Sequence, residues 1–124
     1  MRKPKFRVVM DVSVDGEESW DGILRNIENL KKDLGPKDLE LEVVLYGKAF
    51  PLAVRPEKGG ARALHSRVEE AVRSGVRIVL CENTMRRKSL VGADLLPFIA
   101  TVPSAMVELV KKQTEGWAYL KPGP

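Results

Sequence analysis

Cysteine and histidine are almost missing from this 124-residue chain, which has one of each, Cys81 and His65. A lone cysteine excludes an internal disulfide, and with it the usual mark of an oxidising compartment. One cysteine and one histidine also fall short of a structural zinc site within the chain. No uninterrupted apolar run approaches the ~20 residues of a membrane-spanning helix. The basic start, Met1-Arg2-Lys3-Pro4-Lys5, leads into Phe6-Arg7-Val8-Val9-Met10-Asp11, where charge breaks any signal-peptide core. The cytoplasm is therefore the expected compartment. Phosphate loops are absent too: Gly59-Gly60 lacks the accompanying lysine and hydroxyl residue, and no dinucleotide fingerprint follows the first strand. Glutamine occurs once, Gln113, beside 21 Lys and Arg and 17 Asp and Glu, a balance that points to a thermophilic source.

What the chain does contain is the composition of one globular domain spanning 1–124, with 44% hydrophobic and 31% charged residues. Such a length buries a core without staples. The net charge is +4, but the basic residues are spread along the chain and interleaved with acids. Nucleic-acid binding needs a clustered patch, so it is not expected as the main function.

Strand and helix patterns alternate from end to end. Residues 6–12 read as a buried strand. Asp15 stands where a helix cap is wanted, with Glu18 in the capping-box position. Trp20, Ile23, Leu24, Ile27, Leu30 and Leu34 then recur at helical spacing until Gly35-Pro36. A second strand covers 40–46. The irregular stretch 48–60 carries Ala49, Phe50, Leu52, Ala53 and Val54, which should cover the site mouth, the domain's own core or another subunit. A helix over 61–74 turns Ala61, Leu64, Val68, Ala71 and Val72 inward, and a third strand runs 76–81. Residues 83–90 form a short helix or turn, and 98–101 a fourth strand. Pro103 fits a first helical position, ahead of a helix with Met106, Leu109 and Val110 on its inner face. Trp117-Ala118-Tyr119-Leu120 is a last short strand. Such alternation predicts an α/β fold with a parallel sheet covered on both faces, all strand carboxyl ends on one rim.

That rim is where open α/β sheets hold reactive groups, and it is where Cys81 falls. The apolar run Val76-Arg77-Ile78-Val79-Leu80 ends at the cysteine, and Glu82-Asn83-Thr84-Met85-Arg86-Arg87-Lys88 follows. A helix start there, with three cations nearby, favours thiolate over thiol. The plainer alternative for such a cysteine is an inert small core residue. Asn83 and Thr84 are the candidates to bond the sulfur through their backbone amides, Arg86 to stabilise its charge, and Gly47 to share the rim. His65 reads as a helix-edge residue off the rim. Asp11 and Asp15 flank the first strand's end and are candidates to line the rim; the plainer alternative has one capping a helix and the other solvating a turn. Trp117 and Tyr119 suit packing or subunit contact, and Arg86-Arg87-Lys88 is either an exposed basic turn or a receiver for an acidic partner.

Several segments together resemble one family. Cys81-Glu82-Asn83-Thr84-Met85, Ala93-Asp94-Leu95-Leu96-Pro97, Val102-Pro103-Ser104-Ala105 and Gln113 through Pro122 are similar to the DsrE/DsrF-like sulfur-relay proteins. Leu24 through Asn29 and Val44-Leu45-Tyr46-Gly47 extend the match, although Tyr46 stands where many relatives carry histidine. The resemblance implies a three-layer α/β/α sandwich with a five-stranded parallel sheet, assembled as homotrimers or hexamers. It implies too that Cys81 accepts sulfane sulfur as a persulfide and passes it on, with no metal or organic cofactor. A binding or assembly module of the same fold, without catalysis, is the rival expectation.

Overall fold

The computed structural model describes residues 3–123. Its elements are β1 (Phe6–Val12), α1 (Glu17–Leu34), β2 (Leu39–Leu45), α2 (His65–Arg73), β3 (Arg77–Cys81), α3 (Glu82–Arg87), β4 (Ala100–Val102), α4 (Ala105–Thr114) and β5 (Ala118–Leu120). The five strands form one sheet in the order β4-β3-β2-β1-β5, every pair parallel.

Crossover handedness explains which helix lies where. From β1 to β4 each connection steps the same way across the sheet, so right-handed crossovers carry α1, α2 and α3 onto one face. The step from β4 to β5 runs back past β3, β2 and β1, which sends α4 to the opposite face. The result is a three-layer α/β/α sandwich. The first face holds the larger core, with Met10, Val12, Val43, Leu45 and Leu80 of the sheet against Trp20, Ile23, Ile27, Val68 and Met85 of the helices. The second face packs Val9, Val44, Val79, Cys81 and Val102 against Ala105 and Leu109 of α4 and against Trp117.

The apolar loop after β2 belongs to the domain's own core. Ala49, Leu52, Ala53 and Val54 are buried there, carried by 3-10 turns over Gly47–Leu52 and Pro56–Lys58. Gly60 is required at its position, since a Cβ would meet the Val54 carbonyl oxygen at 1.9 Å. That contact, not phosphate binding, accounts for the residue.

Three sequence expectations are corrected. Helix α1 starts from Gly16 at φ 97°, with no side-chain cap, because Asp15 lies one residue outside the cap position. Pro103 lies outside α4: Ser104 is its cap, and the Ser104 Oγ accepts from the Val107 amide at 3.3 Å. The inward stripe of α4 is Ala105, Glu108, Leu109 and Lys112, a spacing of one helical face. Met106 and Val110 therefore point outward, with Val107 beside them, each more than half exposed.

The charged members of that stripe meet a buried acid. Glu42 of β2, 1% exposed, accepts from Arg77 Nε at 2.9 Å, while its other oxygen has no partner among the described residues. Burial pushes this carboxyl up to about 7; Glu108 adds to the rise, and Arg77 and Lys112 oppose it. A carboxyl that holds its proton more tightly folded than unfolded stabilises the protein below its unfolded value of about 4.5, and that stability is lost as pH rises through about 7. The unfolding temperature should accordingly drop by several degrees between about pH 5 and pH 8. Glu42→Gln, neutral throughout, should remove most of that drop in thermal melts; an undiminished drop would place its origin elsewhere.

Candidate functional site

Cys81 is the last residue of β3 and the cap residue of α3, with extended backbone angles (φ −68°, ψ 124°). The strand's alternation turns its side chain to the second face, beneath the start of α4. The Ala105 amide donates to the Sγ at 3.3 Å. Two helix starts, those of α3 and α4, thus converge on one sulfur.

Four groups oppose the cost of burial. Residue exposure is only 4%, and that desolvation alone raises the thiol's pKa. The backbone amides of Thr84, Ala105 and Asn83 and the Thr84 side chain act in the other direction and prevail, so Cys81 ionises below the usual thiol value. Thr84, itself buried, also accepts from the Gly47 amide at 2.9 Å. Gly47 therefore lies behind the sulfur, not around it: it ties the end of β2 to α3 and fixes the threonine that serves the thiolate. Its φ of 56° suits a residue without a Cβ.

A freely exposed sulfur, as the rim position suggested, is not what the fold provides. Cys81 instead forms the floor of a cavity of about 510 Å3, lined also by Tyr46, Asn83, Arg86, Arg87, Ser104, Ala105 and Met106. Asn83 and Arg86 are part of the wall, and Arg86 donates to the Asn83 side-chain oxygen. Glu82 turns away and accepts from Thr101 Oγ1 at 2.7 Å. The two arginines are left to face the cavity without a carboxylate partner among the described residues. Their charge favours anionic sulfur species.

Sequence reasoning missed one part of this region. Asp11, a candidate for the rim or for a turn or cap, is 4% exposed and accepts from the Tyr119 hydroxyl of β5, a partner the sequence did not suggest. That bond pushes the Tyr119 hydroxyl up to about 12. Tyr46, at the cavity wall, is also raised, first by burial, then by Asp11 and by the charge of Cys81, against a bond from Ser13 that lowers it. The alternation of β1 carried the signal: Val9 and Asp11 share the second face with Cys81. His65 is elsewhere, its Nε2 donating to the Pro51 carbonyl at 3.0 Å. Among the described residues no three His, Cys, Asp or Glu side chains converge as metal ligands would. Among the described residues no helix is long and apolar enough to cross a membrane.

Alkylation by iodoacetamide, followed across pH, should show a midpoint below the ~8.5 of an unperturbed thiol. Thr84→Val, which removes one bond to the sulfur, should shift that midpoint upward. A wild-type midpoint at or above the ordinary value would count against the bonding described here.

The fold is shared with solved structures. MTH1491 of Methanobacterium thermoautotrophicum, a protein of unknown function, is 32% identical, with a TM-score of 0.85 over 94% of this chain and 99% of that one. YchN of E. coli is 20% identical (TM-score 0.70; 95% and 98% of the two chains), and BT1422 of Bacteroides thetaiotaomicron, of unknown function, is 12% identical (TM-score 0.69; 93% of each). These last two show the fold alone. Comparison with curated proteins gave no match. The profile of the DsrE/DsrF-like family matches residues 17–122, and the chain belongs to that family.

Proposed function

We propose that this protein is a cytoplasmic sulfur carrier, with Cys81 as the residue that accepts sulfane sulfur and yields it to an acceptor thiol. One observation carries the reading: a sulfur bonded by amides, and so readily ionised, on the floor of a basic cavity large enough for a small donor. Membership of the DsrE/DsrF-like family, with its sulfur-relay associations, supports it. The Cys81 thiolate attacks the outer sulfur of a donor R–S–SH, the donor's S–S bond breaks, and RS⁻ leaves with the bonding pair. The persulfide so formed is a reversible state of cysteine, and the exchange needs neither metal nor organic cofactor.

The rival reading is a binding module of the same fold, with Cys81 merely part of the lining. The loop 49–54 gives it no support, since its apolar side chains pack in or against the domain's own core. Intact mass after exposure to a sulfane donor separates the two. Wild type should gain about 32 mass units, one sulfur atom, and Cys81→Ser should gain nothing. No gain in wild type, or an equal gain in the variant, would remove the carrier chemistry.

Assembly into a homotrimer or hexamer is part of the same proposal. Met106, Val107 and Val110 form an exposed apolar strip on α4, and Phe6, Tyr119 and Leu120 add partly exposed apolar surface near the β5 edge. Surfaces of this kind are suited to burial against a copy of the chain. Sedimentation of the wild type should give a mass three or six times that of one chain. Met106→Asp combined with Val110→Asp should lower it; a monomeric wild type would refute the assembly.

A further inference from the structure

The first four strands step in one direction across the sheet and β5 returns to the other side of β1, so the order reverses between β1 and β5. The crevice outside the carboxyl ends at such a reversal is where open α/β sheets place reacting groups. Asp11 and Tyr119 bridge that reversal, the Tyr119 hydroxyl donating to Asp11 Oδ2. The other carboxylate oxygen, Oδ1, is buried and has no partner among the described residues that meets hydrogen-bond geometry. A buried carboxylate oxygen left open is costly, and its persistence next to a reactive cavity calls for a use.

The neighbouring strand supplies one. Tyr46 follows directly on β2, its amide bonded to the Val12 carbonyl at 3.1 Å; it packs on the same sheet face that Asp11 shares and lines the cavity together with Cys81. Resting on the carrier reading above, we infer that Tyr46 is a catalytic residue that takes the hydrogen from the transferred sulfur, passing its own hydroxyl hydrogen to Asp11, which Tyr119 positions. The bookkeeping of atoms closes. Cys81–S⁻ and R–S–SH give Cys81–S–SH and RS⁻ when the donor S–S bond breaks. The hydrogen on the transferred sulfur moves to the Tyr46 oxygen while the Tyr46 hydrogen moves to Asp11 Oδ1. Cys81–S–S⁻ remains, RS⁻ takes a proton from water as it departs, and Asp11 returns its proton to water by the same route. No electrons are gained or lost overall, and no co-reactant is required.

The surrounding charges suit this direction. On β3 the facing group is Cys81 itself, on α3 the cavity-lining Arg86 and Arg87, on β5 Tyr119, and after β1 the Ser13 hydroxyl; the start of α4 contributes Ser104, Ala105 and Met106, none of them charged. The arginines favour the anionic persulfide product at the cavity wall, and the raised Tyr46 keeps the hydroxyl hydrogen it needs for the relay.

The test compares two reactions of the same sulfur. Uptake from glutathione persulfide moves a hydrogen; alkylation by iodoacetamide does not involve one on the incoming group. Tyr46→Phe should slow uptake roughly 10- to 100-fold, the range of a lost acid–base group, while alkylation at matched thiolate fraction stays within about twofold. Asp11→Asn should act likewise, and Tyr119→Phe more weakly because it removes only the anchor. Should the buried Asp11→Asn fail to fold, Tyr46→Phe alone decides. Equal uptake in wild type and Tyr46→Phe would overturn the relay and leave the carrier reading standing. A parallel fall in uptake and alkylation would overturn it too, since Tyr46 would then merely hold the sulfur in place. Absence of uptake by wild type would sink the carrier reading and the relay with it.

Discussion

The return of the chain from β4 to the far side of β1 is the constraint on which this molecule depends. Right-handed connection places α4 on the face that the other helices leave bare. Because α4 begins just after β4, its first amide arrives over the end of β3 and reaches the Cys81 sulfur. Had β5 been added beyond β4 instead, the same handedness would have put α4 with the other helices. Cys81 would then have lost the Ala105 amide and the roof of its cavity together. The bonding around this sulfur is thus a product of topology as much as of local sequence.

The two faces of the sheet divide the labour. The first face is hydrocarbon against hydrocarbon and supplies most of the buried apolar area, the main source of stability in a domain of this size. The second face has a single helix over it and carries the polar inventory: Glu42, Arg77, Glu108 and Lys112 towards the amino ends of the strands, Asp11, Tyr46, Tyr119 and Cys81 towards the carboxyl ends. Buried charge without full partnership destabilises. A face that tolerates it must be backed by a strong core on the other side, and that is the arrangement here. Trp117 packs at the amino-end side of this face, with the Arg7 guanidinium 5.7 Å and the Lys112 ammonium 4.6 Å from its ring.

Much of this was legible in the sequence, and the failures share a cause. The strands, α1, α2 and the position of Cys81 at a strand end followed from periodicity and glycine stops, because those elements bury one clean stripe. Helix α4 misled because its stripe is not apolar: Met106 and Val110 look like core beside Glu108 and Lys112, yet the charged pair faces inward to meet Glu42. A helix whose partner surface holds an acid inverts the hydrophobic rule, and only the partner reveals it. The plainer reading of Asp11 failed for the same reason, an acid on a sheet face reading as a turn residue until Tyr119 is seen to bond it. Depth is the other quantity a sequence hides. The strand end gave the sulfur's address, but the roof over it comes from residues 23 and more positions away, Ser104 to Met106.

Recession and ionisation together are what a carrier of labile sulfur requires. A thiolate fully in water reacts with any oxidant or disulfide that collides with it, and its persulfide is equally open to loss. A thiol sealed in hydrocarbon is protected but stays protonated, since burial alone raises its pKa. Cys81 escapes both outcomes because fixed dipoles replace water around the charge: the amides of Asn83, Thr84 and Ala105 and the Thr84 hydroxyl need not reorganise when the sulfur ionises. Arg86 and Arg87 line the cavity that leads to it. Substituting backbone for solvent is what offsets the cost of burying this sulfur, and the crossover that brings α4 to the second face makes that substitution available.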